Sequence, residues 1–180
     1  MPDEPSFLNP SRLVKSLEIP KGSVAADFGA GSGFYAVPLA DAVGPEGKVY
    51  AFDIMPEALS RLRSLARMRH LLNIEPVIAD LEVERGTHLK DSVADFVLIA
   101  SVLHQATDKP AVLKEARRIL KPGRTLIIVE WDESKSPGGP SLESRVPKSK
   151  ARELSEAAGF QSDREIPAGS HHYCLLFRRS

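Results

Sequence analysis

The sequence has a single cysteine, Cys174, and no apolar run of the ~20 residues that a membrane-spanning helix needs. One cysteine cannot form a disulfide within the chain, so a disulfide-stapled secreted domain is excluded and a reducing compartment is favoured. Residues 1–5 have neither the positive charge nor the apolar stretch of an export signal. We therefore expect a cytoplasmic protein that makes no contact with a membrane.

An excess of charge of one sign is also missing, because 24 lysine and arginine residues balance 24 aspartate and glutamate residues. A basic surface for nucleic acid is therefore not expected over the whole molecule. The local exception is a run of arginines on a predicted helix, Arg61, Arg63, Arg67 and Arg69. We interpret this run as a solvated helix face, and contact with RNA is the alternative.

Aromatic residues are few, at 6%, whereas hydrophobic residues make up 42% of the 180 residues. This composition and length predict a single globular domain with its own core, spanning residues 1–180. Residues 1–22 form its lead-in and a short helix, which begins where Asn9 can cap and Pro10 can occupy the first helical position. Residues 132–146 are an irregular Ser-, Pro- and Gly-rich insertion, of a kind that is usually functional or mobile.

The stretch Val24–Tyr35 is the most informative part of the sequence. A short strand-type run ends in Asp27, glycines follow at alternate positions (Gly29, Gly31, Gly33), and helical spacing then takes over from about residue 33. Glycines permit positive φ and let a ligand lie directly against the main chain, where free N–H groups point outward. The pattern G-x-G-x-G differs from the dinucleotide fingerprint G-x-G-x-x-G. A purely structural strand-to-helix turn is the alternative.

Further strand-type runs alternate with helical segments along the chain, and most of these runs are apolar on both faces. This pattern predicts a parallel sheet covered by helices on both sides, in a doubly wound α/β architecture. Asp108 is predicted to cap a helix that continues through Leu120 and ends at Lys121-Pro122-Gly123. The predicted strands cover residues 24–27, 48–53, 75–80, 94–100, 125–131, 160–167 and 171–179.

The glycine pattern, with Asp27 two residues ahead of Gly29, resembles the first motif of the class I S-adenosylmethionine-dependent methyltransferases. The stretches 95–104 and 119–126 look like the small-molecule branch of that family, which includes the type 11 and quinone-biosynthesis methyltransferases. The resemblance spans Asn9 to Arg178. It implies S-adenosylmethionine as cofactor, methyl transfer as activity, and a Rossmann-like seven-stranded sheet whose last strand is antiparallel.

Acids at neighbouring strand ends agree with this resemblance, because ligands of open parallel sheets bind beyond the carboxyl ends of the strands. Asp53 ends the second strand and can accept hydrogen bonds from both hydroxyls of a ribose. Asp80 ends the third and can hold an adenine amine, with Ile54 and Leu81 as apolar walls. Helix capping is the alternative for either acid. The predicted cofactor-binding residues are Asp27, Gly29, Ala30, Gly31, Gly33, Asp53, Ile54, Asp80, Leu81 and Ala100.

A general base is needed only when the methyl acceptor must lose a proton, and His104, just past the fourth strand, is the candidate. A histidine satisfied by backbone groups is the alternative. The predicted substrate-contacting residues are Tyr35, Glu130, Trp131 and His171. Trp131 can either stack on a flat acceptor or close the edge of the core. A metal site at His171 and His172 is the less favoured interpretation, and we expect no metal.

A departure from the family pattern narrows the range of possible methyl acceptors. The Asn/Asp-Pro-Pro-Tyr turn of many base-methylating relatives is replaced by residues 100–103, Ala-Ser-Val-Leu. We therefore favour a small or medium-sized organic acceptor. One alternative is methylation of RNA or protein, since residues 44–51 resemble a segment of RNA methyltransferases. A non-catalytic cofactor-binding scaffold is the other alternative. The short segments available to enclose an acceptor suggest that a partner chain, in a homodimer, completes the site, or that the acceptor is too large to be enclosed.

Overall fold

A computed structural model describes residues 7–136 and 138–180, and within them the chain forms five helices and seven strands. These are α1 (Pro10–Ser16), β1 (Val24–Phe28), α2 (Ala36–Val43), β2 (Lys48–Asp53), α3 (Pro56–Met68), β3 (Ile74–Ile78), β4 (Ala94–Ala100), α4 (Lys109–Ile119), β5 (Leu120–Trp131), α5 (Lys148–Ala157), β6 (Phe160–Ile166) and β7 (His172–Arg179). The lead-in predicted for residues 1–6 lies outside the described residues.

The seven strands form one sheet in the order β3-β2-β1-β4-β5-β7-β6. The first five strands pair in parallel, and β7 lies antiparallel between β5 and β6. The predicted doubly wound sheet with an antiparallel last strand is therefore confirmed. Its strand order reverses between β1 and β4, which places the expected ligand crevice at the carboxyl ends of these two strands.

Helices cover both faces of the sheet and divide the core into two apolar layers. Leu13 of α1, Leu39 of α2 and Leu62 of α3 are buried on one face. Val112 of α4 and Ala151 of α5 are buried on the other. The central strands β1 and β4 and residues 126–130 of β5 are buried on both sides, which explains their largely apolar sequences. No helix in residues 7–136 and 138–180 has the length and apolar character to cross a membrane.

Two predicted helix starts are confirmed by their caps. The Asn9 side chain accepts a hydrogen bond from the N–H of Arg12 at 3.0 Å, and that of Asp108 accepts one from Ala111 at 3.0 Å. Side-chain oxygens at these positions satisfy N–H groups that have no partner within the helix. Local sequence therefore determines where α1 and α4 begin.

The predicted end of α4 is wrong. The helix stops at Ile119, and residues 120–124 are already part of β5. Pro122 has no N–H to continue the helix and disfavours helical geometry in the residue before it. The carbonyls of Arg118 and Ile119 instead accept hydrogen bonds from Ser92 and Val93, at 3.0 and 2.8 Å.

Two other boundaries also differ. The second helix begins at Ala36 and not near residue 33, because the glycine turn continues to Tyr35. The third strand ends at Ile78, so Asp80 lies two residues beyond it.

Strand β3 forms one outer edge of the sheet. Two hydrogen bonds at its ends join it to β2: Val49 N donates to Asn73 O at 2.8 Å, and Ala79 N donates to Asp53 O at 3.0 Å. The backbone groups of odd-numbered residues therefore face β2, and those of even-numbered residues face the open side. Pro76 lies on the open side and has no N–H to offer there. Its carbonyl oxygen accepts a hydrogen bond from Arg63 at 3.3 Å.

Candidate functional site

The glycine turn joins β1 to α2 at the carboxyl edge of the sheet. Gly29, Gly31 and Gly33 have φ values of 75°, 53° and 105°, in the region that side chains other than glycine rarely adopt. The N–H groups of Gly29 and Ala30 both donate to the carbonyl of Phe52 at 2.8 Å. The turn is thereby fixed to the end of β2.

The three glycines have different surroundings. A Cβ atom on Gly29 would lie 2.3 Å from a methyl group of Val102, and one on Gly33 would lie 2.6 Å from a methyl group of Leu62. A Cβ atom on Gly31 would meet no heavy atom within 4 Å. Packing therefore explains Gly29 and Gly33, whereas Gly31 presents bare backbone to an open space of the kind a ligand requires.

Asp53 lies directly against this turn. Its Oδ2 accepts a hydrogen bond from Gly31 N at 2.8 Å, and its Oδ1 accepts one from Met55 N at 2.9 Å. Each carboxylate oxygen can accept more than one hydrogen bond, so the side chain can still receive a pair of hydroxyl groups. The neighbouring Ile54 side chain is 62% exposed and forms an apolar surface beside it.

Asp27 is buried at the end of β1, and its Oδ2 has no hydrogen-bond partner among the described residues. Burial, and then the charge of Asp53, raise the pKa of Asp27 to about 7, although the N–H of Ala36 favours the ionised form. A buried carboxylate oxygen without a partner is unfavourable, and a cation supplied by a ligand would remove that cost. The site therefore fits a group with a positively charged amino-acid end.

Tyr35 follows the glycine turn and is also buried. Its hydroxyl has no partner in residues 7–136 and 138–180, and burial raises its pKa. Tyr35 therefore adds a second unsatisfied polar atom to this part of the sheet.

The remaining predicted cofactor residues lie along the same edge. Asp80 is exposed and accepts a hydrogen bond from Glu82 N at 2.9 Å, so it also organises the turn after β3. Leu81 and Ala100 are almost completely buried, at 9% and 8% exposure. They can contribute apolar contact at the ends of β3 and β4.

His104 and Glu130 form a pair at the ends of β4 and β5. The ring Nδ1 of His104 lies 2.9 Å from Glu130 Oε2, and the backbone N–H of His104 donates to Glu130 Oε1 at 3.3 Å. The Glu130 side chain is 0% exposed and that of His104 is 10% exposed. Glu130, predicted to contact substrate, contacts His104 through both carboxylate oxygens.

Trp131, for which the sequence leaves open stacking on an acceptor or closing the edge of the core, has several contacts within the chain. Its indole ring lies 4.1 Å from the ring of His172 and 5.3 Å from the guanidinium of Arg145, measured between centres. A Cβ atom on Gly139 would be 2.7 Å from the indole. The 132–146 insertion therefore packs on the tryptophan, which is half-buried.

Arg145 organises that insertion. It is 7% exposed, and its guanidinium donates to the carbonyls of Asp132, Ser134 and Pro140 and to the hydroxyl of Ser136, over 2.6 to 3.1 Å. Sequence analysis missed this residue, because a single arginine in a polar segment carries no recognisable pattern.

His171 lies at the start of β7 and its Nδ1 is 2.8 Å from Ser134 Oγ, which in turn donates to Asp132. Although burial raises the pKa of Asp132, hydrogen bonds from Ser134 and the nearby His171 and His172 hold it below its usual range. The described residues contain no group of three or more His, Cys, Asp and Glu side chains placed to hold a metal ion. His171 thus belongs to a hydrogen-bonded group at the base of the insertion.

Two sizeable cavities lie away from this edge. One, of about 680 Å³, is lined by residues from α2 and from the loops before β2 and β3, including Lys21, Lys48 and His70. The other, of about 480 Å³, lies beside α4 and is lined by charged residues that include Arg117, Arg118 and Arg179. We place the candidate site at the carboxyl edge, because the unpartnered Asp27 oxygen and the open Gly31 backbone are found there.

Comparisons with known proteins were made by sequence and by structure. A family model described as a methyltransferase domain matches residues 19–168. Demethylmenaquinone methyltransferases from Geobacillus sp. (strain WCH70) and Staphylococcus carnosus (strain TM300) are 30% identical over 120 and 126 residues, covering 67% and 70% of this chain and 50% of each relative. The chain spans about half the length of these curated relatives.

The crystal structure of a SAM-dependent methyltransferase from Aquifex aeolicus superposes with a TM-score of 0.88 at 26% identity, covering 99% of this chain and 95% of that one. That structure is described as SAM-dependent, and in this chain the carboxylates of Asp27 and Asp53 and the backbone of Gly31 at the carboxyl edge fit a ligand of that kind. The chain belongs to the methyltransferase domain family.

Proposed function

We propose that this chain transfers a methyl group from S-adenosylmethionine to a small or medium-sized organic acceptor. The observation that carries the proposal is the buried, unpartnered Oδ2 of Asp27 beside the open backbone of Gly31. When bound, the cofactor supplies an electrophilic methyl carbon, whose bond to sulfur breaks with its electron pair left on sulfur. The protein then has to align the acceptor and exclude water.

The cofactor-binding roles are distributed along the ends of β1 to β3. Gly31 and Asp27 would hold the amino-acid end, and Asp53 the ribose hydroxyls. Asp80 would hold the adenine amine, with the ring between Ile54 and Leu81. Gly29, Ala30, Gly33 and Ala100 would shape the surrounding surface.

The acceptor would bind beside β4, β5 and β7, where Tyr35, His104 and the Trp131–His171 region lie. The relatives are named for demethylmenaquinone, and we propose a related aromatic acceptor for this chain. Phe34 supports this choice, because this large apolar side chain is 74% exposed next to the glycine turn. In this proposal residues 1–180 are one domain, and residues 132–146 border the acceptor.

Calorimetry tests the cofactor assignment directly. Wild-type protein should bind S-adenosylhomocysteine and S-adenosylmethionine, and NAD should show no heat of binding. Asp53→Ala should weaken binding by about 2 kcal/mol, the range for hydrogen bonds to a charged group. Asp41→Ala, at an exposed acid on α2, is the matched control and should leave affinity unchanged. Tight binding of NAD in place of the sulfonium nucleoside would refute the proposal.

RNA methylation is the second candidate, supported by the exposure of Arg61, Arg67 and Arg69 along α3. RNA affinity that falls steeply between 50 and 200 mM salt would favour it. Tight cofactor binding without transfer to any metabolite or RNA fraction would favour a non-catalytic scaffold. We further propose a cytoplasmic location. We also propose a homodimer that completes the acceptor site, and light scattering would test whether the protein is a dimer.

A further inference from the structure

The carboxylate of Glu130 has an unusual environment. It is fully buried, and both oxygens face the same residue, since Oε1 accepts from the backbone N–H of His104 and Oε2 lies 2.9 Å from its Nδ1. No lysine or arginine within residues 7–136 and 138–180 forms an ion pair with it. A buried carboxylate needs donors, so the imidazole is its principal means of stabilisation.

This contact determines the state of the imidazole ring. With a carboxylate as the acceptor, the ring donates from Nδ1 to Glu130. In the neutral ring the lone pair is then on Nε2. Nε2 has no partner in the described part of the chain.

The backbone holds the pair at a fixed position. Ala100 of β4 pairs with Val129 of β5, and Ser101 N donates to Val129 O at 2.9 Å. His104 and Glu130 therefore extend from adjacent strand ends. Adjacent rigid strands restrict the relative movement of the two side chains.

Val102 connects this pair to the glycine turn. Its methyl group occupies the space where a Cβ of Gly29 would be, at 2.3 Å. The segment 101–104 therefore lies directly on the turn that we assign to the cofactor. His104 lies two residues after Val102, at the same edge of the sheet. Its side chain is 10% exposed, so the imidazole ring is shielded from bulk water.

We propose that Glu130 is a positioning residue that fixes His104 with its Nε2 lone pair available as a general base. The proposal rests on the proposed methyl transfer and defines its acceptor class, which is an aromatic or enolic compound whose reacting oxygen carries a proton. The electron pair of the O–H bond forms the new bond to carbon, and the proton passes to Nε2. The resulting imidazolium is stabilised by the adjacent Glu130 carboxylate.

A tautomer measurement tests the first half of the proposal without any ligand. In ¹⁵N-labelled protein, long-range ¹H–¹⁵N spectra distinguish a ring protonated on Nδ1 from one protonated on Nε2. The His104 signals are identified by their absence in His104→Asn. We expect the Nδ1–H form in the wild type and its loss in Glu130→Gln, because the single amide oxygen cannot accept from both the backbone N–H and the Nδ1–H of His104, and the amide NH₂ favours an acceptor Nδ1. An Nε2–H tautomer in the wild type, or an unchanged tautomer in Glu130→Gln, overturns the proposal.

Two acceptor probes test whether the pair takes a proton or is only structural. 1,4-Dihydroxynaphthalene must lose a proton, whereas the hydroxyl of 2-hydroxy-1,4-naphthoquinone is already ionised at pH 7.5. His104→Asn and Glu130→Gln should lower transfer to the first probe by about 100-fold or more, the range for general base catalysis, and transfer to the second by less than about threefold. Equal losses with both probes would show a structural role and overturn the proposal.

Binding of S-adenosylhomocysteine, measured on the same samples, distinguishes failure of the proposed methyl transfer from failure of the proposed roles of His104 and Glu130. If the wild type does not bind it, the proposed function fails whatever the tautomer is. If the wild type binds it but methylates neither probe, the acceptor class proposed here is wrong. Unchanged binding in both variants, with the selective loss described above, supports the pair as base and positioning residue.

Discussion

The two halves of the carboxyl edge differ in how well their polar groups are satisfied. Around the glycine turn, Asp27 Oδ2 and the Tyr35 hydroxyl are buried without partners among the described residues, and Gly31 faces open space there. On the β4–β5 side, Glu130 is paired with His104, and Arg145 donates four hydrogen bonds within the insertion. The first half is suited to a ligand that supplies the missing partners, whereas in the second half Glu130 and Arg145 are paired within the chain and His104 Nε2 is left for a ligand.

The largest expected effect comes from giving Asp27 a permanently neutral replacement. Its pKa is raised to about 7, so folding favours the protonated carboxyl, and the resulting stabilisation is lost as the pH rises from about 4 through 7. Asp27→Asn mimics the protonated form at every pH. Its advantage in free energy of unfolding over the wild type should therefore grow by about 4 kcal/mol between pH 4 and pH 8.

Urea unfolding at the two pH values measures this change, with Asp41→Asn, at an exposed position of α2, as the control. The same Asp27→Asn substitution should weaken binding of S-adenosylhomocysteine, since the ammonium would lose its carboxylate. A pH-independent difference between Asp27→Asn and the wild type would contradict the assigned environment.

Substitution of the glycines should separate packing from ligand approach. Gly29→Ala should lower the free energy of unfolding by about 3 kcal/mol, because positive φ strain and the contact with Val102 both oppose a Cβ atom. Gly31→Ala has only the φ strain and should lose about 1–2 kcal/mol. Cofactor affinity should show the opposite order, with the greater loss in Gly31→Ala.

A second substitution checks the reason for the Gly29 effect. Val102→Ala introduced into Gly29→Ala removes the obstructing methyl group and should recover part of the lost stability. If the double variant is no more stable than Gly29→Ala alone, contact with Val102 is not the cause.

In the second half, Arg145→Ala should lower stability by about 2 kcal/mol, because the carbonyls of Asp132, Ser134 and Pro140 lose a charged donor. Trp131 is the only tryptophan and lies under the guanidinium, so its fluorescence should shift to longer wavelength as the insertion opens. Arg124→Ala, at a side chain 55% exposed, is the control and should change stability by less than about 1 kcal/mol. Unchanged fluorescence in Arg145→Ala would mean that the insertion is held by other contacts.

The smallest effect is expected at Tyr35. Tyr35→Phe removes a buried hydroxyl that has no partner, so the ligand-free protein should become more stable by about 1 kcal/mol. Thermal unfolding with and without S-adenosylhomocysteine measures the change. A loss of stability in the ligand-free variant would show that the hydroxyl has a partner there, such as a bound water molecule.

The same comparison explains which parts of the fold and of the candidate site could be predicted from the sequence. Strand apolarity, caps at Asn9 and Asp108, and the glycine spacing are local features, and they predicted the architecture and the cofactor edge. Segments distant in sequence produce the contacts that the sequence did not predict. These are the contact of Val102 with Gly29, the packing of Arg145 on Trp131 and the burial of Glu130. The boundary errors have the same origin, since the end of α4 depends on Ser92 and Val93 as well as on Pro122.

The outer strand β3 has a consequence for how the molecule can associate. Pro76 offers no N–H on the open side and its carbonyl is already held by Arg63, so a strand from another molecule would find an interrupted ladder there. Growth of the sheet into a continuous ribbon of many copies is blocked at this end. Pairing of two copies by strand addition at β3 is therefore disfavoured.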